Sequence, residues 1–410
     1  MPTYDVVVVG GGPIGAVAAR HAAGVGARVL LIEQGECTGE PARCTGLVSP
    51  HTLELLKVSA ASLLREIRGG ILHAPGGRTI ELRANTVKAV VLDRGKLNRE
   101  LIEFAIDAGV EVRTRTRAVA ADAGRVRIEH LGKEEKVETR VIIGADGPRS
   151  SIASWFSLPR PRQFLSASQA VVARKPYSSD GVEVFFGSDV APGFFAWAVP
   201  AEEDHLRVGL AAPLGTDTEA LLFRLLAQRF SGEVIARVGG VIPIGTSSTT
   251  VGDGVLLVGD AAGQVKPTSG GGIYTGGMCA RIAGKIAGCA ALAGQTTRQT
   301  LAEYERCWRS EIGGELRFGL AAHRVLAALS DSEIDAVLAA VDDPSIIQVI
   351  AKEGDIDHPS RLFRSFFSRQ SLWPRILTLI PALGGWKRVE ELARLAIVRD
   401  HANVYNANEA

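Results

Sequence analysis

The chain has 410 residues, of which 46% are hydrophobic and 22% are charged, and its formal net charge is +1. A chain of this size can bury a large core in two or three domains, and its balanced charge excludes a global attraction to nucleic acid or to acidic partners. No apolar run approaches the roughly 20 residues that span a membrane, and no signal peptide is expected because a strand pattern begins at Tyr4. The five cysteines form no CxxC pair and no zinc-type cluster, which predicts a reducing, cytoplasmic location and no metal site.

Strands and helices alternate along the first part of the chain. Continuous apolar runs rich in β-branched residues predict strands buried on both faces, and alanine-rich or amphipathic segments predict helices between them. In chain order we predict a strand at 5–9, a helix at 13–24, a strand at 28–32, a loop with a short helix at 37–60, a helix at 97–109 and a strand at 141–143. This order is typical of a parallel sheet covered by helices.

The pattern then changes to the polar–apolar alternation of an antiparallel sheet, and later returns to buried strands and helices. Here we predict strands at 181–186, 194–199 and 205–211, a helix at 217–230, a buried strand at 254–258, a long helix from about 272 and helices after 300. The predicted domains are a discontinuous nucleotide-binding domain at 1–155 and 250–300, an inserted antiparallel-sheet substrate domain at 156–249 and a helical C-terminal region at 301–410. A cleft between two domains favours a small-molecule site.

The segment from Gly10 to Gly15 follows the first strand, opens the first helix and matches G-x-G-x-x-G. In this motif Gly10 makes a tight turn, Gly12 lets the backbone approach a diphosphate, and Gly15 allows close packing of the helix. Ile14 lies inside the motif, and Glu33 ends the second strand, where its carboxylate can accept ribose hydroxyls. These residues predict a dinucleotide site, the alternative being a glycine-rich turn without a ligand.

A second motif, far downstream, distinguishes FAD from NAD. A buried strand delivers Asp260 to the start of the turn Gly259-Asp260-Ala261-Ala262-Gly263, where its carboxylate can bind a ribityl chain. Because NAD has no ribityl chain, the paired motifs predict FAD. An ordinary strand–turn connection is the alternative.

Three further glycines stand at the start of the long helix. Gly270, Gly271 and Gly272 precede Ile273, so that bare amides can face a planar ligand. The helix dipole there would stabilise negative charge at N1 and O2 of a reduced flavin. Gly271, Gly272 and Ile273 are therefore predicted cofactor contacts, with a flexible loop as the alternative.

Weaker signals lie elsewhere in the first domain. Asp146-Gly147 looks like the short Asp-Gly motif found in flavoproteins with paired FAD motifs of this kind, and Ala118 is a further predicted cofactor contact. Arg94 precedes a helix and could reach phosphate or ribityl oxygens. A solvated charge run is the alternative for Arg94.

Together these residues resemble the geranylgeranyl reductase family, a branch of flavoproteins that also contains aromatic hydroxylases and flavin halogenases. The resemblance covers residues 1–310 and is most specific at two segments. Residues 41–46, Pro-Ala-Arg-Cys-Thr-Gly, are similar to the family's P-x-R-C-G segment near the flavin, with Thr45 where glycine is usual, and residues 259–273 are close to its GDAAG…P…GGGI loop. The resemblance implies an α/β fold with a hydroxylase-like, Rossmann-type FAD-binding domain and flavin contacts at Cys44, Thr45 and Gly46.

The resemblance also implies an activity: saturation of C=C bonds in geranylgeranyl or other isoprenoid chains, such as those of membrane ether-lipid precursors, with NADPH or ferredoxin as the external electron donor. Residues 195–200, Phe-Ala-Trp-Ala-Val-Pro, are similar to the family's aromatic-x-W-x-x-P strand, which implies Phe195, Trp197 and Pro200 in the substrate pocket. The same segment resembles the W-x-W-x-I-P of halogenases. A flavin-dependent monooxygenase or halogenase acting on a small hydrophobic substrate is therefore the alternative, and a flavin-bound sensor without catalysis is a third.

An isolated alkene accepts a hydride poorly, so a proton must arrive with the hydride or before it. Cys44 is the titratable side chain that the motifs place beside the flavin, and we predict it as the catalytic residue. The alternative is a small packing residue.

The segment 361–399 combines positive charge with bulky apolar residues. It has eight basic and two acidic residues, a local charge of +6. Its large apolar residues are Phe363, Phe366, Phe367, Leu372, Trp373, Ile376, Leu377, Leu379, Ile380, Leu383 and Trp386. This composition suits an interfacial helix on anionic lipid, so we expect contact with the inner face of the membrane. Pro374 and Pro381 break the segment into short pieces, and helices that simply cover the substrate domain are the alternative.

Overall fold

The computed structural model describes residues 3–39, 44–202, 204–370, 373, 377, 380–381, 383 and 385–397. Two large sheets, one small sheet and a helical C-terminal region make up this part of the chain. This is the predicted α/β architecture, with a Rossmann-type sheet, a second, mainly antiparallel sheet and a C-terminal set of helices.

The first sheet has eight strands, and its centre is parallel in the order β17-β18-β11-β1-β2-β8, with only β17 antiparallel along this path. Its strands are β1 (Thr3–Val9), β2 (Val29–Ile32), β8 (Glu111–Arg113), β9 (Thr116–Asp122), β10 (Arg125–His130), β11 (Lys133–Gly144), β17 (Val251–Gly252) and β18 (Val255–Leu257). Val9 pairs with both Gly144 and Ile32, and Gly144 pairs with Leu257. Because these parallel strands end level with one another, the loops that follow them meet at one edge of the sheet, where nucleotides bind in such folds.

Helices α1 (Pro13–Ala23), α3 (Arg94–Asp107) and α6 (Ile273–Leu292) pack together on this sheet. Pro13 supplies the fixed φ that suits a first helical position, and Gly24 follows the last turn of α1. Alanine and glycine let α1 and α6 approach closely, since a Cβ at Gly284 would stand 2.2 Å from the carbonyl oxygen of Ala18. Small residues are therefore required where these two helices cross.

The second sheet has seven strands in the order β16-β12-β15-β14-β13-β5-β6. They are β5 (Gly69–His73), β6 (Thr79–Arg83), β12 (Gln163–Ala173), β13 (Gly181–Phe185), β14 (Ala196–Pro200), β15 (His205–Pro213) and β16 (Glu233–Ile244), and α5 (Thr218–Arg229) packs on β12 and β15. Two strands, β5 and β6, come from outside the range 156–249 predicted for this sheet. They join it because β5 pairs in parallel with β13, from Gly69 opposite Gly181 to His73 opposite Phe185, a contact between distant segments that no local pattern announces.

A third, three-stranded sheet in the order β3-β7-β4 lies between these parts: β3 (Leu47–Val48), β4 (Leu63–Ile67) and β7 (Ala89–Leu92). Its buried residues Ile67, Ala89 and Val91 share a core with Val199 of β14. The shorter helical elements are α2 (Pro50–Leu56), α4 (Ser151–Trp155) and the 3₁₀ turns Ala60–Ser62 and Gly259–Ala262. The small sheet thus links the Cys44 segment to the second large sheet.

The C-terminal region is helical, as predicted. Its helices are α7 (Arg298–Glu311), α8 (Gly313–Ala327), α9 (Asp331–Val341), α10 (Pro344–Glu353), α11 (Pro359–Ser368) and α12 (Trp386–Ile397). Tyr304 and Trp308 of α7 are buried in the main core, which joins this region to the first sheet. Across the residues described above, no helix combines the length and apolar character needed to cross a bilayer.

Candidate active site

The three motif glycines have separate structural roles. Gly10 has a φ of +109°, which favours glycine, and a Cβ there would lie 2.3 Å from the Ala145 oxygen. A Cβ at Gly15 would lie 1.9 Å from the Gly10 oxygen, so this position requires close backbone packing. A Cβ at Gly12 would meet no atom within 4 Å. Gly12 therefore leaves open the space in which a diphosphate is predicted to lie.

That open space belongs to a cleft of about 600 Å³ at the carboxyl edge of the first sheet. Gly10, Gly12, Glu33, Ala118 and Asp146 all line it, so three separate sequence signals meet at one place. Pockets of this size accommodate cofactors. The cleft thus fits the predicted dinucleotide.

Two carboxylates in the cleft are held by backbone amides. Glu33 accepts hydrogen bonds from the amides of Gly11 and Gly35, each at 2.7 Å. Asp146 Oδ2 accepts from the amide of Ser151 at 2.7 Å, at the start of α4. Asp146 Oδ1 is buried with no partner among the described residues, and burial raises the pKa of this carboxyl. The fixed Glu33 carboxylate can accept the ribose hydroxyls, as predicted from its position.

Asp260 and Arg94 are neighbouring charged side chains with hydrogen-bonding atoms that have no partner among the described residues. Burial raises the pKa of Asp260 to about 6, opposed by the nearby charge of Arg94, and the Asp260 carboxylate makes no hydrogen bond with the described residues. Arg94 is 7% exposed; its Nη2 donates to Asn98 at 3.2 Å, while its Nε and Nη1 are buried without a partner there. Arg94 is therefore not part of a solvated charge run. Buried polar groups left without partners in the protein are what a site for ribityl and phosphate oxygens requires.

The turn that carries Asp260 is fixed by residues that the sequence analysis missed. Gln264 Oε1 accepts from the Gly259 amide at 2.8 Å, and Gln264 Nε2 donates to the Tyr304 hydroxyl at 2.8 Å. Tyr304 in turn donates to the Leu257 carbonyl at 2.9 Å. Gly259 has a φ of +67°, and a Cβ there would stand 2.9 Å from Ile14 Cγ2. Gln264 lies inside the recognised motif, but nothing local marks Tyr304 as its partner.

The Gly270–Gly272 loop lies directly beside Asp260, since a Cβ at Gly272 would stand 3.1 Å from Asp260 Oδ1. The loop closes on itself through Lys266, whose amide donates to the Gly271 oxygen at 3.1 Å and whose oxygen accepts from Gly270 at 2.8 Å. Helix α6 then begins at Ile273. The two downstream motifs therefore form one surface next to the dinucleotide cleft.

The segment with Cys44 is anchored to the second sheet. Arg207 Nη1 of β15 donates to the Thr45 oxygen at 2.6 Å and to the Leu92 oxygen at 3.0 Å. The Gly46 amide donates to Cys44 Sγ at 3.4 Å. Burial lowers the pKa of Arg207. Pro41, Ala42 and Arg43 of this motif lie outside the described residues.

Thr45 departs from the family pattern and has a partner of its own. Its hydroxyl donates to Gln169 Oε1 at 2.7 Å, and the Trp197 indole donates to the same oxygen at 3.2 Å. Gln169, on β12, is buried and was not identified from the sequence. Its amide oxygen thus joins the Cys44 segment to the predicted substrate pocket.

Aromatic rings surround Trp197. Phe195 lies 6.0 Å from Trp197 and 4.3 Å from Phe194, measured between ring centroids. Pro200, however, does not share this face: side chains alternate along β14, so Pro200 lies on the side of Ala196 and Ala198, whose side chains pack toward α5. Phe195 and Trp197 therefore remain predicted pocket residues on one face of the sheet, whereas Pro200 lies on the opposite face.

All five cysteines fall within the described ranges and are free thiols. Cys44 is half-buried and packs against the main core, and the residue that follows it, Thr45, is bonded to Arg207. Its surroundings are thus compatible with both predicted roles, packing and chemistry.

Comparison with known proteins gives the same picture. Residues 3–208 match the family model described as an FAD binding domain. The chain is 34% identical, over 85% of its length and 93% of the relative, to digeranylgeranylglycerophospholipid reductase 1 of Methanothermobacter thermautotrophicus. It is 33% identical, over 83% and 91%, to the digeranylgeranylglycerophospholipid reductase of Methanocaldococcus jannaschii.

Solved structures with the same fold include a geranylgeranyl bacteriochlorophyll reductase-like protein from Thermoplasma acidophilum, with a TM-score of 0.80 and 25% identity over 96% of this chain and 100% of that chain. A flavin-dependent brominase matches with a TM-score of 0.67 and 16% identity over 89% of this chain and 98% of that chain, a likeness of fold alone. These findings confirm the predicted fold class and FAD as the cofactor.

Proposed function

Because the chain belongs to the digeranylgeranylglycerophospholipid reductase family, we propose that it uses FAD to saturate C=C bonds of geranylgeranyl chains in membrane ether-lipid precursors. The observation that carries this proposal is the extent of the relationship: the match covers 85% of the chain and so reaches beyond the FAD-binding residues 3–208. Shared sequence in the second sheet and part of the C-terminal region implies a shared substrate class, whereas the likeness to a halogenase is one of fold alone.

The proposed site suits an alkene. When bound and reduced, FAD supplies a hydride. Phe195 and Trp197 offer aromatic surface to an isoprenoid chain. The Gln169 oxygen already accepts hydrogen bonds from Thr45 and Trp197, so it does not need water or a polar substrate group as a donor. The second sheet thus orients an apolar substrate beside the Cys44 segment.

Cys44 is our proposed proton donor. Its thiol would give a proton to one alkene carbon as the hydride reaches the other, leaving a thiolate at Sγ. The Gly46 amide already donates to Sγ at 3.4 Å, and the Arg207 guanidinium is held at the neighbouring residue by its 2.6 Å hydrogen bond to the Thr45 oxygen. Both groups stabilise negative charge on sulfur, as is usual around reactive cysteines.

The activity is tested directly by anaerobic turnover. Purified holoenzyme with digeranylgeranylglyceryl lipid should yield products heavier by successive pairs of hydrogens in mass spectrometry. NADPH and reduced ferredoxin, the two proposed donors, are compared with dithionite as electron sources. A product that gains oxygen or halogen in air, with no hydrogen added under anaerobic conditions from any of the three sources, would instead establish the monooxygenase or halogenase alternative.

We also propose that the C-terminal region contacts the membrane in which such a lipid resides. Of the apolar residues in the segment 361–399, some pack against the protein and others are exposed. Phe363, Phe366 and Phe367 pack inward against neighbouring helices. Trp373, Leu377 and Trp386 are exposed by 38%, 47% and 55%. Leu372, Ile376 and Leu379 lie outside the described residues.

The basic residues of the segment also fall into two groups, those with an acidic partner among the described residues and those without one. Arg361, Arg369 and Arg394 pair with acidic side chains of the same region. Lys387 and Arg388, next to Trp386 at the start of α12, are exposed and make no ion pair with the described residues. The charge of Arg388 contributes to lowering the pKa of Glu333, but both cations are exposed. An exposed tryptophan followed by two exposed cations suits the interface of an anionic bilayer, at about 1 kcal/mol per basic residue. Arg375 and Arg399 lie outside the described residues.

Vesicle flotation tests this contact. The protein should float with anionic vesicles at low salt and less at high salt, and Trp386→Ala and Arg388→Glu should each reduce the floated fraction. Phe223 and Arg224, an exposed aromatic and arginine on α5, provide matched controls, since Phe223→Ala and Arg224→Glu should float like the unmodified protein. Absence of flotation under every condition would leave the tail as a cover of the substrate domain.

A further inference from the structure

Lys266 and Asp357 form a buried ion pair that the proposed function does not use. Lys266 Nζ lies 2.5 Å from Asp357 Oδ1, and the two side chains are 9% and 0% exposed. Asp357 Oδ2 is also buried and has no hydrogen-bond partner within the described ranges. The pair joins the loop between the two downstream motifs to the segment that connects α10 and α11. Such a pair offers little net stability but carries two charges that water cannot screen.

Lys266 is part of the framework of the flavin loop. Besides its two backbone hydrogen bonds to Gly270 and Gly271, its side chain runs along the loop, so that a Cβ at Gly271 would stand 3.1 Å from Lys266 Cε and 3.5 Å from Nζ. Gly271 is one of the three loop glycines whose amides are predicted to face the planar ring of FAD. The ammonium group is therefore separated from that predicted position by little more than the loop backbone.

Among the charged groups around Asp357, Lys266 is the one that pairs with its carboxylate. Asp355 Oδ1 accepts from the Asp357 amide at 2.8 Å, while Asp355 Oδ2 pairs with Arg361 at 3.4 Å and approaches His358 Nδ1 at 3.2 Å. Tyr274, in the first turn of α6, has its pKa raised to about 12 by burial and then by Asp357 and Asp355. Asp355 is thus balanced by its own cation, and Lys266 is the cation that balances Asp357.

We propose that Lys266 and Asp357 are positioning residues that tune the reduction potential of the bound flavin, with opposite effects. Reduction adds negative charge to the ring system, which the Lys266 ammonium stabilises and the Asp357 carboxylate disfavours. The C-terminal region would then adjust the flavin electrostatically through one buried side chain. This inference rests on the proposed placement of the flavin at Gly270–Gly272.

Midpoint potentials of the holoenzyme variants, measured by anaerobic dye equilibration, test the pair. Asp357→Asn leaves the Lys266 charge uncompensated and should raise the potential; Lys266→Met should lower it. Each change should alter the ratio of reduced to oxidised flavin at least tenfold, and a tenfold change is about 30 mV for a two-electron couple. The double variant should return toward the unmodified value. Each charge is thus removed in two backgrounds, so the cycle remains informative if one single variant does not fold.

The Arg78–Asp342 pair is the matched control. Like Lys266–Asp357, it ties another part of the chain to the C-terminal region: Arg78, just before β6, contacts Asp342, just after α9, at 3.0 Å. Its side chains, however, are 50% and 37% exposed, and neither belongs to the flavin loop. Arg78→Met and Asp342→Asn should leave the potential unchanged. Unchanged potentials in the Lys266 and Asp357 variants that retain FAD, or shifts of the same sign, would overturn the proposal. Because no lipid is present in this assay, its outcome is independent of whether the enzyme reduces geranylgeranyl chains.

Discussion

Gly12→Val and Asp260→Ala should each yield folded protein that purifies with little FAD. At Gly12 a valine side chain would fill the open space in which the backbone must meet the diphosphate, since no protein atom lies within 4 Å of a Cβ there. At position 260, alanine removes a half-buried carboxylate that has no hydrogen bond from the described residues and so is free to bind the ribityl chain. The measurement is the ratio of visible flavin absorbance to protein absorbance after purification, with circular dichroism to verify the fold.

Two matched controls separate loss of the cofactor from general damage. Gly240, on β16, also has no atom within 4 Å of a Cβ and does not have a positive φ, so Gly240→Val should retain FAD. Asp189 is an exposed acid, and Asp189→Ala should retain it as well. If the flavin absorbance survives in both Gly12→Val and Asp260→Ala, the assigned cofactor position is wrong.

The parts of this site that could be predicted are those encoded within a few residues. Gly10, Gly12 and Gly15 are recognisable because one turn and one helix start determine their roles, and the structure places Glu33 and Ala118 in the same cleft. Asp260 follows a strand that is continuous and apolar. Each of these signals depends on local backbone geometry, which sequence spacing expresses directly.

The residues that were missed acquire their roles only from tertiary contacts. Gln169 and Arg207 stand in strands where polar residues normally face solvent. Gln169 is buried and Arg207 half-buried because the Cys44 segment lies against that face. Tyr304 reaches Gln264 from another helix. Pro200 fits the family motif, yet strand alternation turns it away from Trp197. The parallel pairing of β5 with β13 likewise joins segments far apart in sequence.

In the C-terminal segment 361–399, composition alone overestimates how many apolar residues are exposed. The composition of this segment predicts that Phe363, Phe366 and Phe367, which lie between arginines, face lipid. In the structure Phe363 contacts Phe318 at a ring-centroid distance of 5.4 Å, and Phe367 packs beside it at 4.7 Å. An amphipathic pattern shows that a helix has an apolar face, but not whether protein or lipid covers it.

The remaining large effect is expected at Cys44. Cys44→Ser should retain FAD and reduce the rate of alkene reduction by about 10²–10⁴-fold, the usual contribution of a positioned general acid. The hydroxyl is nearly isosteric but holds the resulting negative charge far less readily than sulfur, even with the Gly46 amide and Arg207 nearby. Cys37 and Cys289 are exposed thiols, so Cys37→Ser and Cys289→Ser are the controls and should turn over like the unmodified enzyme. Single-turnover rates of lipid saturation by pre-reduced enzyme isolate this step from electron supply. If the Cys44→Ser rate lies within about threefold of the unmodified enzyme, the change is far smaller than a general acid contributes. Cys44 would then have a packing role, and another group in the site would have to donate the proton.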